Sequence, residues 1–97
     1  MLFEELIAKV PDYKSFYTVD EFNERSLALA QKYPDKVKIH MGGYSRKNEP
    51  IYILEIGKGS KNALLFGCPH PNEPIGAMML DSLSEMLAKG EESLDKL

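Results

Sequence analysis

The chain has 97 residues, 43% hydrophobic and 28% charged, and its 15 acidic and 12 basic side chains give a formal net charge of -3. That balance argues against a disordered chain and allows one small domain, with about two-thirds or less of its unfolded surface buried. The two signs are interspersed without a basic stripe, so nucleic acid is not expected as a partner.

Leu2 or Phe3, then Leu6, Ile7 and Val10, fall at helical spacing, and Pro11 stops them. This predicts a short amphipathic helix that packs on something larger. Thr18 followed by Glu21 reads as a capping box, in which hydroxyl and carboxylate each satisfy an orphan backbone amide. Val19, Phe22, Ser26, Leu29, Ala30 and Tyr33 then form one stripe, with Glu24, Arg25 and Gln31 mainly outside it, until Pro34 ends the helix. Val37-Lys38-Ile39-His40-Met41 alternates as a half-buried strand does, and residues 51–56 predict a second strand. Residues 42–50 between them are long for a tight turn, so an antiparallel pair with a loose loop is expected. Residues 57–62 are another turn. Ala63-Leu64-Leu65-Phe66 is an unbroken apolar run, as in a strand covered on both faces. Pro74 suits the first position of a last helix, whose buried stripe is predicted as Ile75, Met79, Leu83, Met86 and Leu87, and which Gly90 terminates. Glu91 and Glu92 read as a solvated helix end, and the polar remainder to Leu97 carries no clear pattern.

The order is helix, helix, strand, strand, strand, helix, and a further strand would be expected next. The chain therefore reads as α/β, with about three strands and flanking helices, and as the front part of a larger domain. Residues 1–16 are its N-terminal helix and linker, and residues 17–97 one partial domain. No apolar run is long enough to span a membrane and no signal-peptide pattern opens the chain, so no membrane partner and a cytoplasmic location are expected. The single cysteine, Cys68, excludes an internal disulfide and leans towards a reducing compartment.

The chemistry concentrates in Gly67-Cys68-Pro69-His70-Pro71-Asn72-Glu73-Pro74. An imidazole and a carboxylate on a turn leaving a strand can point at one metal ion, and zinc accepts both donor types. Pro71 stiffens the turn between them, reducing the entropy lost on binding. The same residues also fit a blander role, with Glu73 as an anion at a helix N-terminus and His70 as an exposed loop residue. Cys68 and His70 would face the same way on an extended chain, as a thiol–imidazole nucleophile requires, though Cys68 also reads as an inert small core residue. Gly42-Gly43 and Gly57-Lys58-Gly59-Ser60 lack the helix that phosphate loops need and read as turns. Met78, Met79 and Met86 read as core packing.

Several segments, in order, resemble the zinc carboxypeptidase family, the carboxypeptidase A-like metallopeptidases. Tyr17-Thr18-Val19-Asp20-Glu21-Phe22, Leu29-Ala30 and Tyr33-Pro34 are similar to that family's opening helix. Met41-Gly42-Gly43-Tyr44-Ser45 with Pro50-Ile51-Tyr52-Ile53-Leu54 is similar to its first strand pair, and Leu64-Leu65-Phe66-Gly67 leading to His70-Pro71-Asn72-Glu73 to its third strand and first two zinc ligands. The resemblance covers the chain from about Tyr17 to the end of the last helix and implies the N-terminal part of a mixed-sheet metallopeptidase domain.

By that resemblance His70 and Glu73 are zinc ligands. The family's third ligand, a downstream His, and its catalytic Glu have no counterpart here, and His40 precedes the motif and cannot stand in. No catalytic residue is therefore assigned within this chain. Asn72 stands where digestive members carry an Arg, and the His-x-Asn-Glu-Pro form is closer to bacterial members and to the related amino-acid deacylases. The implied activity is zinc-dependent release of C-terminal residues from peptides. Deacylation of N-acyl amino acids and a non-catalytic binding or regulatory module on the same fold are the alternatives. Peptides or acyl-amino acids are the expected substrates of the complete domain, and the chain alone is expected to self-associate.

Overall fold

Local signals set the helix ends in the computed structural model, which describes residues 3–90. The start predicted at Leu2 and the polar stretch with Glu91 and Glu92 lie outside the described residues. The first helix, α1 (Phe3–Ala8), ends in two turn bonds, Lys9 N–H to the Leu6 carbonyl and Val10 N–H to that of Ile7. Ile7 and Val10 remain exposed, so the expected packing of this helix is only partial.

Helix α2 (Val19–Lys32) starts at the capping box: Glu21 N–H donates to Thr18 Oγ1 at 3.2 Å, and Thr18 N–H donates to Glu21 Oε1 at 2.9 Å. Along its stripe Leu29 is buried and Phe22, Ser26, Ala30 and Tyr33 are half-buried, but Val19 faces solvent. After Tyr33 the chain turns at once, with Val37 N–H bonded to the Tyr33 carbonyl at 2.9 Å.

Strands β1 (Val37–Tyr44) and β2 (Pro50–Ile56) pair antiparallel, as expected, from Val37 opposite Ile56 to Tyr44 opposite Pro50. The loop between them is tighter than residues 42–50 suggested. Gly42-Gly43-Tyr44 belongs to β1 and holds a bulge between Met41 and Gly43. Residues 45–49 close on themselves, with Ser45 N–H bonded to the Glu49 carbonyl at 2.8 Å and Asn48 in the left-handed region.

Helix α3 (Ile75–Lys89) ends at Gly90, whose φ of 76° supplies the left-handed cap. Pro74 sits one position earlier than expected, as the N-cap residue. The buried face is also rotated from the predicted stripe. Met78, Ser82 and Ala88 are buried and Leu83, Met86 and Leu87 of the predicted stripe are half-buried, whereas Ile75 and Met79 are 63% and 52% exposed. This helix is apolar on several sides, so its pattern does not select a face; its contacts with α2 do. Leu29, Val37 and Ala88, one each from α2, β1 and α3, make the core, with Ala30, Tyr33, Leu54 and Ile56 packed around them.

The expected third strand does not form. Among the described residues the sheet has two strands, and Leu64 and Phe66 are 80% and 77% exposed. A strand exists through its hydrogen-bonded ladder, and no described element pairs with residues 63–66. The architecture is a small mixed α/β arrangement of a two-stranded antiparallel sheet and, among the described residues, three helices. None of those helices is long and apolar enough to cross a membrane.

Candidate metal centre

Residues 67–74 link the exposed apolar run to α3, and their backbone is held at both ends. Gly67 lies against the first turn of α3 so closely that a Cβ there would meet Gly76 C at 2.6 Å, Gly76 O at 2.7 Å and Ala77 N at 2.8 Å. Only glycine allows that approach. Cys68 follows with a φ of 58°, a left-handed conformation that costs a non-glycine residue about 1–2 kcal/mol. Next, the His70 carbonyl accepts the Glu73 N–H at 3.0 Å, closing a turn over Pro71 and Asn72, and also takes the Cys68 thiol at 3.5 Å.

Both bonds end on the His70 carbonyl and engage neither the imidazole nor the Glu73 carboxylate. His70 and Glu73 are exposed, and neither side chain has a hydrogen-bond or ion-pair partner among the described residues. A neutral imidazole nitrogen and a carboxylate are the donor types that zinc takes, so the pair fits that ion in kind. It supplies only part of a ligand set. No group of three or more His, Cys, Asp or Glu residues that could hold a metal occurs among the described residues. The turn is also open: two shallow depressions of about 260 and 270 Å³ lie against α3 and against the hairpin loop, and neither is lined by His70 or Glu73.

His40 is engaged elsewhere, on the exposed face of the hairpin, with Nε2 3.3 Å from Glu55 Oε1. The thiol–imidazole pairing does not form. The left-handed turn at Cys68 removes the extended geometry it needs and aims the thiol at the His70 carbonyl. Cys68 is half-buried and follows no strand, so it is not a core residue either.

A second polar constellation lies between α2 and α3. Arg25 Nε donates to both Asp81 oxygens, at 2.9 and 3.0 Å; its NH2 group lies 2.8 Å from Asp81 Oδ2 and 3.6 Å from Glu85 Oε1. The guanidinium also stacks over Tyr17, 4.9 Å from the ring centre. The Asp81 hydrogen bonds hold the Arg25 proton more firmly than usual. Beside it the Tyr13 hydroxyl donates to the Met78 carbonyl at 3.2 Å, and burial pushes this phenol's pKa up. The signal in the sequence is a pair of acids, Asp81 and Glu85, four apart on a largely apolar helix.

A scan against protein-family models finds no match for this chain, and a search of curated proteins finds none either.

Proposed function

We propose that this chain carries the metal-binding turn of a zinc-dependent hydrolase of the carboxypeptidase kind, acting on the C-terminal residues of peptides. The observation that carries this reading is the turn closed from Glu73 N–H to the His70 carbonyl at 3.0 Å, which leaves an imidazole and a carboxylate exposed and unpartnered among the described residues. The order of motifs that resembles the carboxypeptidases supports it independently. His70 would bind through an imidazole nitrogen and Glu73 through a carboxylate oxygen. When bound, zinc acidifies water and polarises a carbonyl. A third protein ligand and a general base are also needed, and no described residue supplies them at this turn. Asn72 keeps the deacylation of N-acyl amino acids in view as the neighbouring chemistry.

Zinc calorimetry on the wild type, His70→Ala and Glu73→Ala tests the proposal. The expected result is weak binding by the wild type, far below that of a three-ligand site, and its loss in both variants. Unchanged binding in both would place the metal elsewhere and overturn the assignment. On a panel of peptides and acyl-amino acids with added zinc, this chain alone should show no useful turnover; robust, chelator-sensitive turnover would refute the need for further residues.

A further inference from the structure

We infer that Gly67 and Gly76 are positioning residues for the metal-binding turn, acting through their backbone contact. The inference rests on the zinc reading of His70 and Glu73 and adds the device that presents them. A turn displaying two donors gains affinity when its geometry is set before the ion arrives, because less ordering remains to be done on binding. Here the eight-residue stretch from Gly67 to Pro74 leads into α3 and is pinned against it at its own beginning. The Cys68 thiol and the Glu73 amide then fix the His70 carbonyl from two directions.

The contact is asymmetric, which makes the inference sharp. A Cβ on Gly67 would lie 2.6–2.8 Å from backbone atoms of Gly76 and Ala77. Those atoms belong to the helix and cannot retreat without unwinding its first turn, so the loop must lift instead. A Cβ on Gly76 would meet Cys68 N at 3.4 Å and Gly67 Cα at 3.5 Å, which is ordinary contact. Gly76→Ala therefore keeps the loop seated. Gly76→Val adds bulk beyond that limit from the helix side and should displace the loop as Gly67→Ala does.

The experiment measures zinc affinity by calorimetry and Glu73 amide exchange by NMR in the wild type and these three variants, with α3 amide exchange as the control for folding. Gly67→Ala and Gly76→Val should bind zinc about 10–100-fold more weakly, the range seen when residues that orient metal ligands are changed. Their Glu73 amides should exchange severalfold faster while the α3 amides stay protected, and Gly76→Ala should match the wild type in both readouts. Unchanged zinc affinity and unchanged Glu73 exchange in Gly67→Ala would overturn the inference. Should the wild type show no His70-dependent zinc binding, the metal reading fails, and the exchange measurement alone decides whether the glycine contact orders the turn.

Discussion

Arg25 on α2 grips Asp81 on α3 through a forked contact, with Nε within 3.0 Å of both carboxylate oxygens. The two partners are unequally buried: the Asp81 side chain is 10% exposed and that of Arg25 37%. A carboxylate left alone at such depth loses more than a guanidinium that water and Glu85 can still reach. Arg25→Ala should therefore destabilise the fold more than Asp81→Asn, by about 1.5–3 kcal/mol for the arginine change. Urea unfolding of the two variants checks the order; an equal or reversed cost would show that the pair is solvated.

Tyr13 ties the segment after α1 to α3 through the Met78 carbonyl. Burial raises its pKa above the ordinary value of 10.0, so the folded state keeps a proton that the unfolded chain gives up first. Its contribution to stability is complete below the unfolded value and disappears as pH rises through the folded one. Tyr13→Phe should cost about 0.5–1.5 kcal/mol at neutral pH for the lost hydrogen bond, and it should flatten the alkaline fall in stability. Urea midpoints of both proteins, at neutral pH and above the ordinary tyrosine value, measure the difference. A parallel fall in the two would exclude Tyr13 as the titrating group.

Both bonds of the capping box at Thr18 and Glu21 are made on an exposed surface. Thr18→Ala should cost about 1 kcal/mol, and Thr18→Asp much less, because aspartate also caps. Thermal melts of the two variants decide this, and equal losses would show that the cap is not the stabilising element.

Leu64, Phe66, Ile75 and Met79, each more than half exposed, put apolar side chains on either side of the turn from His70 to Glu73 in sequence. Exposed apolar surface of this kind drives association. Sedimentation should show the average mass of this chain rising with concentration, and Phe66→Ser should reduce the rise. A monodisperse monomer at every concentration would show that the surface is tolerated in water.

What the sequence made legible was local. The Thr18 cap, the stop at Pro34, the Gly90 terminus and the antiparallel pair each depend on a few neighbouring residues, and each formed where expected. Residues 63–66 have the composition of a central strand, yet a strand needs a partner, and none among the described residues provides one. The face that α3 buries is not legible in its own pattern because distant residues contact it, as Tyr13 does at Met78 and Arg25, 56 positions away, does at Asp81. At the candidate site the donors could be named from the motif. The left-handed Cys68 and the seat between Gly67 and Gly76 could not, since both arise from how closely one backbone approaches another.

The bulge at Gly42 changes the phase of β1. Before it, Val37 and Ile39 stand opposite Ile56 and Leu54, on the side that covers the helices; after it, Gly43 stands opposite Ile51 and Tyr44 opposite Pro50. Partners in a ladder share a face, so the inward face passes from odd to even numbers within one strand. Tyr44 thereby shares the side of the sheet that Leu54 and Ile56 occupy, where strict alternation from Val37 would have turned it outward. Removing Gly42 would therefore take out the extra residue and leave the partners on both sides of it paired as they are, with Tyr44 still on that side of the sheet.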